Sequence, residues 1–230
     1  MISGPDLAEI RLSKIDESNR GDHYHLNQDD ECYYLFEYTS HKDFTFGFAN
    51  NLISNLKKSV ERRSRPEYRY KIRAIEDCAR YLAATLNDDW LNVATLVPVP
   101  FSKNRQNPLY DDRLTAICRG MNGLKPYAID VRELVEQTIS IQAAHENPEN
   151  RPSLDDLRRI YRVDDSAANP TPRTIGIVDD VLTAATHFRA VKDVLATRFR
   201  GIPITGIFIA RRVFPDDARL EFSQITDLSM

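Results

Sequence analysis

The sequence predicts an α/β fold built on a parallel sheet. Three observations carry that expectation. The runs VATLVPVP (93–100) and TIGIVDD (174–180) are short and almost wholly apolar, as strands buried on both faces are. Stretches with apolar residues at helical spacing lie between the strand-like runs, and such alternation implies right-handed βαβ crossovers. At 230 residues the chain has room for one domain with extensions.

Residues 1–30 are polar and run into the acidic stretch NQDDE (27–31), which predicts a loose or edge-packed arm. CYYLFEYT (32–39) is aromatic-rich and favours a strand, followed by a turn at His41 and Lys42. Phe48, Leu52, Ile53, Leu56 and Val60 recur at helical spacing until Pro66 breaks the pattern. A second helix is expected over 68–86, with Ile72, Ile75, Ala79, Leu82 and Leu86 on one side. After the 93–100 strand come the polar loop 101–112 and a helix from Asp111 to Met121. KPYAIDVRELV (125–135) holds another strand. A polar, charged region at 136–165 contains a short helix at 153–160. The 174–180 strand, a helix over 186–200 and the strand ITGIFIARRV (204–213) complete the pattern, and 216–230 form a tail.

Composition removes several function classes. With 31 Lys+Arg against 34 Asp+Glu the net charge is −3, which disfavours a globally basic nucleic-acid binder. Cys32, Cys78 and Cys118 are far apart, excluding a disulfide scaffold and a CxxC zinc pair and fitting a reducing compartment. No apolar run approaches the ~20 residues of a membrane span. The first 20 residues carry no apolar signal core, so the expectation is a cytoplasmic protein without membrane partners.

The segment IGIVDDVLTAATHFRAVKDVL (175–195) concentrates the chemistry: an apolar strand ending in Asp179 and Asp180, a small-residue loop, then a helix. Ligands of open α/β sheets bind at the carboxyl ends of strands. The next helix start offers free N–H groups and a positive dipole end that suit a phosphate. Thr183 and Thr186 add hydroxyls, and the two carboxylates can accept from sugar hydroxyls. The spacing fits a ribose 5-phosphate. Against this stands a plain reading in which a strand-end Asp only caps a helix or makes a turn. A DxD phosphatase pattern fails because the aspartates are adjacent. A receiver domain fails because only 50 residues follow Asp180. A Walker loop fails for want of GK[ST] or any glycine between 181 and 200.

VDDVLTAATHF (178–188) resembles the PRPP-binding motif of type I phosphoribosyltransferases (PRPP, phosphoribosyl pyrophosphate). VPVPFSKNRQNPLYDDRL (97–114), QTISIQAAHENPENRPSLDDLRRIYRV (137–163) and IFIARRV (207–213) resemble segments of the ComF-type, competence-associated branch; 34–58 do so weakly. The likeness spans about residues 32–215 and is strong at 97–114 and 173–190. It departs from that branch in lacking the zinc ribbon and in placing Ala185 where the loop usually has glycine. The resemblance implies a type I phosphoribosyltransferase-like parallel sheet flanked by helices. A small hood would be built from about 31–45 and 137–165.

By that resemblance Asp179 and Asp180 would bind the ribose hydroxyls and stabilise charge on the ring. Thr183, Ala184, Ala185, Thr186 and His187 would cradle the 5-phosphate, and Lys103, Arg105 and Arg151 would meet the pyrophosphate. Mg²⁺ would ride on substrate oxygens rather than on protein ligands, its common mode. The activity implied is transfer of a phosphoribosyl group from PRPP to a nitrogen nucleophile. The alternative is a non-catalytic PRPP- or nucleotide-binding regulator in DNA uptake or defence. Plainer readings accompany each residue: Lys103, Arg105 and Arg151 as solvated loop cations, His187 as a first-turn residue facing solvent, Asp111 and Asp112 as helix-start charges. Residues 57–73 hold eight basic side chains against two acidic, with Tyr68 and Tyr70 interleaved. A solvated face is the commoner outcome, so nucleic acid is disfavoured as a partner. A homodimer is the commonest oligomer for such a chain.

Overall fold

The computed structural model describes residues 4–139 and 152–215. Its centre is a six-stranded sheet in the order β1-β2-β8-β7-β3-β4. The strands are β1 (Ser13–Lys14), β2 (Glu31–Thr39), β3 (Ala94–Pro98), β4 (Asp130–Val131), β7 (Thr174–Leu182) and β8 (Ile204–Val213). All neighbours pair in parallel except β1, which runs antiparallel to β2. A separate antiparallel pair joins β5 (Val135–Gln137) to β6 (Tyr161–Val163). The helices are α1 (Phe48–Leu56), α2 (Arg69–Thr85), α3 (Asp88–Leu91), α4 (Arg113–Gly120), α5 (Leu154–Ile160) and α6 (Thr186–Arg198). Among the described residues no helix is long and apolar enough to cross a membrane.

The apolar runs become the inner strands for the expected reason. Every residue of β3 is buried, as is all of β7 except Asp179. Gly176 lets β7 sit beneath Trp90: a Cβ there would come within 2.7 Å of the indole and 3.0 Å of Leu96. The helix α1 packs on α2 and α2 on α4, while α5 packs on α6. Ser153 and Asp156 start α5 with reciprocal side-chain-to-backbone hydrogen bonds of 3.2 and 3.0 Å, a capping box.

Three expectations change. Residues 31–45 were expected in the hood, but Glu31–Thr39 is β2, an inner strand that pairs with β8 along most of its length. Its alternating Cys32, Tyr34 and neighbours bury one face, as a strand packed on a core must. The strand expected in 125–135 splits: β4 extends the main sheet, and β5 turns away to pair with β6. Ile72 is half exposed, because the inner face of α2 runs through Ala74, Cys78 and Leu82 and includes Lys71. The arm at residues 4–30 is anchored. Ile10 and Ile15 are buried, and the buried Asp30 carboxylate takes Arg189 and Lys192 of α6.

Among the described residues Lys71 is the most buried cation, 1% exposed. Its ammonium donates to Asp111 at 2.7 Å and to the Leu56 carbonyl at 2.6 Å. It thereby ties α2 to the end of α1 and to the loop before α4. Burial pulls its pKa down and Asp111 opposes that shift. Removing one member of a buried pair leaves an uncompensated charge, costing about 3–5 kcal/mol. Asp111→Ala is therefore expected to lower unfolding free energy in urea by about that amount, and adding Lys71→Met to recover much of the loss. A loss below about 1 kcal/mol for Asp111→Ala would show that the pair does not hold these elements together.

Candidate functional site

The carboxyl ends of β3 and β7 open onto a cavity of about 510 Å³, lined by Lys57, Phe101, Lys103, Arg113, Asp179, Asp180, Thr183, Ala185, Thr186 and His187 among others. Asp179 and Asp180 belong to the last turn of pleat in β7, so they point to opposite faces. Asp179 is half-buried and its Oδ1 accepts from the Asp180 amide at 2.7 Å. Asp180 is 5% exposed. Its Oδ1 pairs with Lys57 Nζ at 2.9 Å, and its Oδ2 accepts from Arg113 Nε at 3.1 Å and Nη2 at 2.6 Å.

Arg113 is the fork of this cluster. Its remaining nitrogen, Nη1, donates to Asp111 Oδ2 at 2.7 Å, so one guanidinium joins both carboxylates. The group also lies over the Phe101 ring, 5.2 Å from its centroid. A planar fork with stacked support loses little freedom on binding, which makes it a preorganised cation. Burial raises the Asp180 carboxyl, but Lys57 and Arg113 outweigh it and hold the group well below the usual carboxylate range. Burial, and then the Asp180 charge beside it, push Asp179 in the opposite direction, above that range.

The loop after β7 turns at Ala185, which has φ 66° and ψ 19°. This is left-handed backbone, costing an L-residue roughly 1–2 kcal/mol and normally given to glycine. The turn is held from behind. His23 Nδ1 donates to the Thr183 carbonyl at 2.5 Å, His25 N donates to Ala184 O at 2.9 Å, and Arg189 N to Ala185 O at 2.9 Å. Burial lowers the His23 pKa, against the raising effect of the Thr183 hydrogen bond. With the three carbonyls occupied, the loop is left to offer amides and hydroxyls, and α6 opens with amides that have no partner inside the helix. Thr186 begins that helix.

His187 is partly buried rather than facing solvent. Its Nδ1 lies 2.8 Å from the Tyr161 hydroxyl of β6. Burial pulls its pKa down to about 4, so near neutrality the ring is a neutral N–H donor and not a cation. Tyr161 is fully buried and reaches the site from the small β5–β6 sheet.

The other expected residues divide. Lys103 lines the carboxylate cavity. Arg105 does not; it lies in a neighbouring cavity and pairs with Glu133 at 3.2 Å. Arg151 lies outside the described residues. Asp112 precedes α4 without a side-chain cap bond, and Asp111 holds Lys71 and Arg113. Lys57 and Lys71, counted in the basic run, are turned inward onto Asp180 and Asp111. Lys57, Arg113 and Tyr161 were missed. Their chemistry depends on contacts across the fold, and only the sequence neighbours of Arg113, YDD, hinted at charge. Among the described residues no three His, Cys, Asp or Glu side chains cluster to hold a metal ion. No protein-family model matches the chain, and no curated protein does.

Ala185→Gly relieves the left-handed strain but adds unfolded-chain freedom of about 0.4–1 kcal/mol. The variant is expected to gain up to about 1 kcal/mol in urea unfolding. Because alanine already holds the turn, the loop is expected to keep this conformation in the variant. A loss of stability would show that the loop does not rest in this conformation.

Proposed function

We propose that the cavity binds PRPP with Mg²⁺, as a type I phosphoribosyltransferase-like site. The observation that carries this reading is the left-handed turn at Ala185, between the acid pair and the start of α6. It keeps a glycine-like phosphate loop with alanine in it. The 5-phosphate would lie against the 183–187 amides with Thr183, Thr186 and neutral His187 donating. The sugar hydroxyls would meet Asp179 and Asp180. Lys57, Lys103 and Arg113 supply positive charge for a pyrophosphate. Mg²⁺, held by substrate oxygens, would add charge neutralisation on the leaving group. Transfer to a nitrogen nucleophile would then rest on these cations, since departure of pyrophosphate builds negative charge there and positive charge on the ring.

One observation fits the binding-only alternative equally well. Asp180 already accepts from Lys57 and Arg113, so sugar hydroxyls must share or displace those contacts, and a site that trades ion pairs for ligand suits a sensor as well as a catalyst.

Calorimetric titration of PRPP with Mg²⁺ tests the reading. Micromolar binding is expected in the wild type, with at least about a hundredfold loss in Asp179→Asn/Asp180→Asn, some 2.7 kcal/mol. Because Asp180→Asn also unpairs Lys57 and Arg113, Asp179→Asn alone serves as the milder variant, with a loss of about tenfold or more. No binding in the wild type would end the proposal. Release of pyrophosphate in the presence of candidate amines separates the transferase from the sensor.

A further inference from the structure

The carboxylate cavity has a neighbour on the side of α1. It is an open groove of about 750 Å³, lined by α1 at Asn51, Ser54 and Asn55 and by the segment 57–70, and it shares Lys57 and Ser59 with the cavity. Its volume is in the range of small-molecule sites. Phe44, 56% exposed, forms its apolar wall. The ring is tethered to α1, because Asn51 Nδ2 donates to the Phe44 carbonyl at 3.3 Å.

The charges of the groove pair off, with a single exception. Lys57 is taken by Asp180 of the neighbouring cavity at 2.9 Å. Arg62 is taken by Glu67, the acid in the groove lining, at 3.7 Å. Lys58 remains. Among the described residues its partners are neutral: its ammonium donates to Asn55 Oδ1 and lies 5.9 Å from the centre of the Tyr70 ring. Burial and Arg62 lower the Lys58 pKa, and Glu67 and Tyr70 oppose them only in part. The groove thus holds a cation in a fixed place without a carboxylate to balance it.

The hydrogen-bonding groups lean the same way. An ammonium can only donate, so its bond fixes which end of the Asn55 amide is oxygen. Asn55 Nδ2 in turn donates to Asn51 Oδ1 at 2.9 Å. Both amide oxygens are engaged, and what Asn51, Asn55 and Lys58 have left to offer is N–H. Ser59 is spent on Glu61, accepting from its amide and donating to its carboxylate, each at 3.2 Å. Tyr70 Oη accepts from Arg69 at 3.1 Å, which leaves its own proton to give. Ser54 adds an exposed hydroxyl.

We propose that this groove is a second ligand site, which takes a small aromatic monocarboxylate, its carboxylate on Lys58 and the Asn55 amide and its ring against Phe44. The single unbalanced cation matches one carboxylate and falls short of a phosphate dianion. The donors suit carboxylate oxygens, which only accept. Phe44 is the ring left for stacking, because Lys58 and Arg69 lie over Tyr70. The site stands whatever the carboxylate cavity binds.

The test uses the full chain, isotope-labelled for NMR near neutral pH, with benzoate, benzamide and acetate as probes. Benzamide keeps the ring and drops the charge, while acetate keeps the charge and drops the ring. Benzoate is expected to give saturable shifts of the Asn51 and Asn55 side-chain amides and of the Phe44 ring, with the millimolar affinity of so small a ligand. Each of the other two is expected to bind at least about tenfold more weakly, since the charge-assisted bond or the ring contact is lost. Lys58→Gln should bring benzoate down to the level of benzamide. Equal binding of benzoate and either companion probe would overturn the proposal. So would the lack of a saturable shift up to about 20 mM benzoate, or shifts confined to the 183–187 amides, which would put the probe in the carboxylate cavity. The probe comparison is made on the wild type and does not depend on a variant folding. PRPP titration reads the carboxylate cavity by itself, so the two proposals fail separately.

Discussion

The Arg113 guanidinium fixes the rest of the site. One side of it grips Asp180 at the end of β7, and the other grips Asp111 in the loop before α4. Lys57 reaches Asp180 from the end of α1, and Lys71 reaches Asp111 from α2. Five charged side chains therefore form one chain, Lys57–Asp180–Arg113–Asp111–Lys71, across the carboxyl edge of the sheet. Each inner member has two partners, so none is buried without compensation. Buried ion pairs of this kind add little net stability over apolar packing, but losing one member is costly. Their contribution here is geometric: they hold the end of α1, α2, the start of α4, the loop before it and the end of β7 in one arrangement.

That arrangement places the chemistry. With Asp180 kept ionised by two cations, the neighbouring Asp179 carries the burden of repulsion and moves upward. A carboxyl pair pushed apart in proton affinity at the mouth of a cleft is a candidate functional site, although structural ion-pair networks shift such groups as well. The N-terminal arm acts on the other half of the pocket. By donating to the carbonyls of residues 183 and 184 through His23 and His25, it helps keep Ala185 in a conformation that alanine alone does not favour. Arg189 and Lys192 in turn anchor the arm through Asp30. The charge chain meets β7 at Asp180, and the arm meets the loop that follows it at Thr183 and Ala184.

Most of the architecture was legible in the sequence, because apolar runs and helical spacing report burial directly. β3, β7, β8, α2 and α6 fall within a few residues of their expected bounds. β2 was legible as a strand but not as an inner one, since aromatic content does not say which strand is its neighbour. The acid pair and the loop stood out by local order, and both line the cavity. Lys57 and Arg113 did not, because an inward-turned cation looks the same in sequence as a solvated one. The Arg105 side chain was misplaced for the same reason: which way a loop cation turns is decided by Glu133, 28 positions away.

Direct titration of the two strand-end carboxyls by carbon-detected NMR tests the central claim best. From an ordinary value of 3.8, Asp180 is expected to titrate lower and Asp179 higher, with Lys57→Met moving Asp180 back up. The linkage signs differ accordingly. The lowered Asp180 contributes stability that is present above 3.8 and lost as pH falls through its folded value. The raised Asp179 opposes folding above its folded value, and that penalty fades as it is protonated. Two carboxyls titrating together near the ordinary value, indifferent to Lys57→Met, would contradict the charge chain as the organiser of this site.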